Sequence, residues 1–340
     1  MKIHVGFDLT YESTHATPMV FMLNVHPSRA PDLVTPDRLR LTPARSITPY
    51  VDGFGNKCVR VLAPPGELRI ACDTVVADSG RPDRVDLSAE QHAVADLPHD
   101  ALVYLLASRY CETDLMMDKA WELFGGTAPG WRRVQAICDF VHAHIKFNYQ
   151  DADATRGAAR GFAERRGVCR DFAHLAVTFC RCMNIPARYC TGYLGDIGVP
   201  PDPAPMDFSA WFEAFVGGRW HTFDARHNVP RIGRVLIARG RDAADVAIST
   251  TFGSTSLKSF IVTTRELEEE WQLRPSTLSV EALLRLPTGL AMVVGQVTVA
   301  SDATPIPDAE HDEFALWPPD PQAWPDEADW RLRRMAGLLA

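Results

Sequence analysis

Residues 166–175 read Arg166-Gly167-Val168-Cys169-Arg170-Asp171-Phe172-Ala173-His174-Leu175, a glycine turn that runs straight into a cysteine at the head of an apolar-periodic segment. Phe172, Leu175, Ala176, Phe179 and Met183 recur at three- and four-residue steps, and Asn184-Ile185-Pro186 ends the pattern. That predicts a helix of about four turns. Cys169 falls in its first turn, where unpaired amides and the positive end of the helix dipole favour a thiolate. The plain alternative is a small cysteine that merely packs, since free cysteine is among the most buried residue types. Asp171 reads as a first-turn carboxylate complementing the dipole. His174, five residues on from Cys169, points roughly 140° away from it on an ideal helix and reads as a packing or surface residue.

Upstream, helical signals begin at Asp100, with Leu102, Leu105 and Leu106 on one face, and continue through Thr113 to Phe124. Trp131, Val134, Ile137, Val141 and Ile145 then form an apolar stripe over 130–145. His142 and His144 near its end read as a solvated helix terminus rather than metal ligands. Downstream, residues 187–194 read as a strand, Pro200 to Pro205 as a loop and residues 207–224 as a hairpin closed by Gly217-Gly218, a pair suited to a turn that needs positive φ. That turn sets Val216 opposite Arg219, Trp211 opposite Asp224 and Ser209 opposite Arg226. Ser209 and Asp224 then share one side as diagonal neighbours about 7 Å apart, while His221 and His227 alternate to the other face. Arg226 could hold Asp224 as an ion pair, and Trp211 and Trp220 read as core more than as substrate wall. Helices followed by strands indicate an α+β core.

Before this core, Ile3, Val5, Phe7, Leu9 and Tyr11 alternate with other residues as a half-buried strand does, and residues 19–25 read as its neighbour. Residues 57–62 and 68–77 read as a hairpin around Pro64-Pro65-Gly66. The expected organisation is an all-β domain at 1–80, a linker with little to pack at 81–99, a core at 100–265 containing a strand near 258–264, and an acidic, proline-rich extension at 266–340. Arg239 to Asp245 reads as a loop. The extension ends in a short amphipathic helix through Trp330, Met335 and Leu338, and could dock on its own domain or contact a protein partner.

The 340 residues carry a net charge of −8 and no basic patch, which argues against nucleic acid or an anionic membrane as the main partner. Eight scattered cysteines with no C-x-x-C pair are neither a disulfide framework nor a zinc signature, and fit reduced thiols in the cytoplasm. The longest apolar run, 290–300, is broken by Gly295-Gln296 and too short to span a bilayer. No nucleotide fingerprint or calcium loop is found, so no cofactor is expected.

Four ordered blocks carry a resemblance: residues 167–175, Asn184-Ile185-Pro186-Ala187-Arg188-Tyr189, Asp207-Phe208-x-Ala210-Trp211-Phe212-Glu213-Ala214 and Trp220-x-Thr222-Phe223-Asp224-Ala225. Together they resemble the bacterial transglutaminase-like superfamily of papain-type cysteine enzymes over residues 100–265. The first 80 residues are similar to the β-rich region that often precedes that core. The resemblance implies helices packed on an antiparallel sheet, Cys169 as nucleophile, position 209 as the general base and Asp224 as the group that orients it. The implied substrates are a peptide, protein or acyl thioester, with Trp211 a candidate substrate contact.

Position 209 departs from the pattern, because family members carry His there and this chain has Ser209. A hydroxyl has no pKa near neutrality from which to accept a proton. Loss of a triad member costs about 10⁴ to 10⁶ in rate in comparable enzymes. Three readings stay open: an amide-cleaving or acyl-transferring enzyme with a native histidine at 209 or another base, an acyl transferase acting on thioesters, whose leaving thiolate needs no proton, and an inactive binding or assembly module.

Overall fold

Strand β1 (Lys2–Ser13) buries Ile3, Val5, Phe7, Leu9 and Tyr11 as its alternation predicts. The computed structural model describes residues 1–267 and, beyond them, the backbone of 290–293 and 296–299. β1 lies between β6 (Gly66–Ala77) and β14 (Thr255–Leu267), and β3 (Arg40–Thr42) flanks β6. Its antiparallel pairing with β6 runs unbroken from Lys2 opposite Ala77 to Ser13 opposite Gly66. A second sheet has the order β13 (Ser249–Thr251), β2 (Thr17–Phe21), β5 (Lys57–Ala63), β4 (Ile47–Val51).

β2 therefore does not pair with β1, nor β5 with β6, which corrects the neighbour pairing and the hairpin read from the sequence. Between β1 and β2, and again between β5 and β6, the chain crosses to the opposite sheet. The physical reason is that Ile3, Leu9, Met19, Phe21, Val61 and Ile70 all need covering, and two facing sheets do so in one core. Tyr11 and Phe21 meet there with ring centroids 5.6 Å apart.

The residues after Asp78 also pack more than their polarity suggests. Ala89 and Leu97 are buried, the Ala89 carbonyl accepts from Trp131 N–H at 2.9 Å, and the Glu90 carbonyl accepts from Gly217 N–H at 2.7 Å. A short helix α1 (His99–Leu102) follows.

Helices α2 (Thr113–Phe124), α3 (Trp131–His144), α4 (Ala158–Glu164) and α5 (Cys169–Cys182) lie in the next stretch. An antiparallel sheet comes after them, ordered β11 (Arg219–Phe223), β10 (Ser209–Val216), β9 (Ala187–Tyr193), β12 (Val235–Gly240). Phe172, Leu175 and Phe179 of α5 share a core with Phe212 and Ala214 of β10 and with Ile137 of α3. This is the expected α+β arrangement of helices on an antiparallel sheet.

Two local readings change. β12 takes in Arg239 and Gly240, so the loop read from Arg239 begins after the strand. The ring of His144 is not a solvated terminus: it stacks on Phe140 and Phe162 and bonds the Phe162 carbonyl at 2.7 Å, while His142 bonds the Arg226 carbonyl at 2.9 Å.

Two short strands, β7 (Lys146–Phe147) and β8 (Arg166–Gly167), pair in parallel just ahead of α5. Beyond 267, β15 (Leu290–Val293) and β16 (Gln296–Val299) form an antiparallel pair within the apolar run read from the sequence. The proline-rich stretch and the terminal helix read at 330–338 lie outside the described residues. Among those described, no helix is long and apolar enough to cross a membrane.

Phe179 is fully buried, with the rings of Phe124, Phe140 and Phe162 at 5.2, 5.9 and 6.1 Å. Phe179→Ala is expected to destabilise the fold by about 3–5 kcal/mol, read as a fall in the urea midpoint at unchanged slope.

Candidate active site

The placement of Cys169 begins three residues before it. The Asp171 carboxylate turns back to accept from Val168 N–H at 2.8 Å, and Asp171 N–H donates to the Val168 carbonyl at the same distance. A Cβ at Gly167 would stand 2.4 Å from Asp171 Oδ2, so only glycine admits this contact. Arg156 Nη1 holds the same carboxylate oxygen at 3.2 Å. Asp171 is thus the first-turn carboxylate that the sequence suggests, and it fixes the entry into α5.

Cys169 is the one cysteine of the eight that is not buried. It lies in the wall of a cavity of about 70 Å³, together with Tyr149, Met206, Ser209, Arg226 and His227. Burial of the thiol pushes its pKa up to about 11. The Arg226 charge and a hydrogen bond from the Ala210 amide act downward, and the charges of Asp207 and Asp171 add to the rise. The helix terminus therefore does not leave a standing thiolate, because desolvation outweighs it. Ser209 faces the same cavity, is 6% exposed and has no hydrogen-bond partner for its hydroxyl among the described residues.

The hairpin register holds for the five pairs from Val216 opposite Arg219 to Phe212 opposite Phe223, and then stops. β11 ends at Phe223, so the expected pairings of Trp211 with Asp224 and Ser209 with Arg226 do not form. Asp224 Oδ1 instead accepts from the N–H groups of Arg226 at 3.0 Å and His227 at 3.1 Å, a side-chain-closed turn.

That turn swings His227 back, and its Nδ1 lies 2.8 Å from Asp224 Oδ2. His227 is therefore not on the far face, as strict alternation had placed it. Nor does Arg226 hold Asp224: its guanidinium stacks 3.8 Å from the Phe147 ring centroid. Arg234 does so, with Nη2 2.8 Å from Asp224 Oδ2 and Nε 2.8 Å from Asp83 Oδ2.

Desolvation alone would raise the Asp224 carboxyl, but the Arg234 charge and the His227 bonds overcome it and hold the group far below the usual carboxylate range. Trp211 is 3% exposed among Cys190 and Leu236, lies under the Arg234 guanidinium at 5.1 Å and is not part of the cavity wall.

The other histidines are committed elsewhere. His174 is fully buried, stacked on Tyr110 at 5.0 Å, with Nε2 accepting from Ala243 N–H at 3.1 Å, and burial holds it well below its ordinary pKa. His221 packs edge-on against Trp131 at 5.2 Å. Among the described residues, no three of His, Cys, Asp and Glu converge where they could hold a metal ion.

A family profile described as the transglutaminase-like superfamily matches residues 120–225, which takes in Cys169, Ser209 and Asp224 and ends just before His227. A crystal structure from Cytophaga hutchinsonii, named as a candidate cysteine protease, is 32% identical, covering 79% of this chain and 91% of its own, with a TM-score of 0.68. The chain belongs to the transglutaminase-like superfamily.

An uncharacterised protein of Mycobacterium leprae is 36% identical to this superfamily member over 107 residues, which are 29% of this chain and 38% of the relative. An uncharacterised protein of Mycobacterium tuberculosis is 26% identical over 214 residues, 57% of this chain and 68% of its own. The match thus spans well under half the length of the M. leprae relative.

His227, Arg234 and Asp83 are the residues of the Asp224 network that the sequence reading missed. The usable signal was local: an aspartate followed by a short polar stretch closes a turn onto its own backbone, which brings positions three apart together.

With a thiol pKa near 11, only about one Cys169 in 10⁴ is ionised at pH 7 unless a base engages it. Alkylation by iodoacetamide is therefore expected to rise about tenfold per pH unit from 8 to 10 and to flatten near 11. Arg226→Gln, by removing a cation that lowers the pKa, should move the curve to higher pH. Peptide mapping of the alkylated cysteine checks both.

Proposed function

We propose that this protein is a cysteine acyl-transfer enzyme that hydrolyses or transfers an amide-type acyl group of a peptide or protein through a thioester on Cys169. The observation that carries the reading is the exposure of Cys169, alone among the eight cysteines, to a cavity at the head of α5. The chemistry needs a nucleophile that meets substrate while the rest of the helix stays packed, and the Gly167–Asp171 turn provides a rigid mount for one. Candidate roles follow for Asp224, as the buried anion of the site, and for Ser209, as a hydroxyl free to bond substrate or water.

The wall of the cavity favours an extended polar substrate over a lipid. Asp196, Asp202 and Asp207 stand on one loop, while Arg226 and Arg231 come from the segment after β11, so both signs of charge flank the thiol. Eight unpaired cysteines support a reducing, cytoplasmic setting.

A second reading, a binding module that has lost turnover, draws on the protonated resting thiol and on the serine at 209. A thioester substrate would ease the demand on the site, since a leaving thiolate needs no proton.

Incubation with 4-nitrophenyl acetate should release about one equivalent of nitrophenolate in a burst and add one acetyl group to Cys169, located by mass spectrometry. Cys169→Ala should show neither. An acetyl group that persists in Cys169→Ala would refute the nucleophile assignment, and an unaltered protein that stays unmodified would favour the binding module.

A further inference from the structure

A thiol held protonated has to hand its proton to something, and the hydroxyl at 209 cannot take it. Position 209 is nevertheless not the only route by which an imidazole can reach this cavity. Among the residues lining it, His227 is the one histidine, and it shares the wall with Cys169, Ser209 and Arg226. Asp224, the residue whose expected role is to orient a histidine at 209, instead orients His227, at 2.8 Å from Nδ1.

The backbone fixes that pairing, because both N–H groups of the Arg226–His227 turn end on Asp224 Oδ1. Arg234 and Asp83 then prevent the carboxylate from turning away.

Building on the reading of Cys169 as nucleophile, the geometry points to His227 as the general base and acid of this site, a base moved from the strand to the turn after Asp224. With Nδ1–H donating to Asp224, the neutral ring keeps its lone pair on Nε2. Nε2 takes the Sγ proton as sulfur bonds to the substrate carbonyl carbon and the carbonyl π pair moves onto oxygen. Collapse of that intermediate re-forms C=O and breaks the C–N bond, and the Nε2–H proton passes to the departing amine. Water then attacks the thioester carbon and gives a proton to Nε2. The second collapse breaks the C–S bond and returns that proton to Sγ, so one water is consumed and an acid and an amine are released. An amine in place of water gives acyl transfer by the same steps.

The groups facing this imidazole and thiol are Asp224 and Arg234 behind the ring, Arg226 and Arg231 from the same segment, and Asp196, Asp202 and Asp207 across the cavity. Their charges are mixed in sign.

The test is the pH dependence of the single-turnover burst with 4-nitrophenyl acetate, between pH 5 and 10. His227→Gln should slow acylation by about 100-fold or more and leave only the steep rise of thiol ionisation. Ser209→His placed on His227→Gln should recover at least about tenfold by returning the base to the strand.

If His227→Gln keeps the rate while Cys169→Ala abolishes the burst, the base assignment falls and the nucleophile reading stands. If Cys169→Ala keeps the burst, the nucleophile reading falls as well. Should His227→Gln not fold, as judged by thermal melting, the unaltered protein still decides: a burst unchanged after diethyl pyrocarbonate has modified His227, located by peptide mapping, overturns the assignment, as does no burst at all.

Discussion

A carboxylate at Asp224, 7% exposed, can stay ionised only if the protein replaces the water it has lost. Two backbone amides and an imidazole nitrogen from the turn that follows it, and the guanidinium of Arg234, do so. Arg234 carries the connection furthest. Its side chain also bonds Asp83, its carbonyl accepts from Arg29 Nη1 at 2.7 Å, and its guanidinium lies over Trp211. The polar stretch after Asp78 and the turn after β2 are thereby recruited to hold one charge in place. Removing a single partner would leave a buried ion exposed to desolvation, which is why so much of the surrounding structure converges here.

Cys169 and the activation expected of its helix position come apart for an electrostatic reason. A helix N-terminus contributes about 0.3–1 kcal/mol toward an anion when exposed to solvent, whereas enclosing a thiolate among apolar neighbours costs more than that. Cys169 sits at the boundary, open enough to meet substrate and enclosed enough to remain a thiol. Such a site is quiet until proton transfer and attack occur together. A thiol kept protonated reacts slowly with alkylators and oxidants.

The helix that begins at Cys169 was legible because its period, its glycine entry and its Asn-Ile-Pro exit all agree, and α5 occupies residues 169–182. The first five pairs of the β10–β11 hairpin were legible from Gly217-Gly218, whose φ values of +58° and +75° suit the turn. What strict alternation could not reveal was the end of the strand. At Asp224 a side chain competes successfully with the ladder for backbone N–H groups, and every residue beyond it changes face. The same limit explains the misread pairings near the N-terminus. Alternation identifies a buried face, but it does not say whether the next strand lies beside that face or across from it.

β14 and β13 have a further meaning for how the chain is made. They pair with β1 and β2, yet lie some 240 residues later in the sequence. While the intervening helices and the β9–β12 sheet are being translated, β1 and β2 each wait with one edge unpaired. An open edge is a template for pairing with another chain. β13 and β14 thus cap those edges, which stay open until residues 249–267 are made.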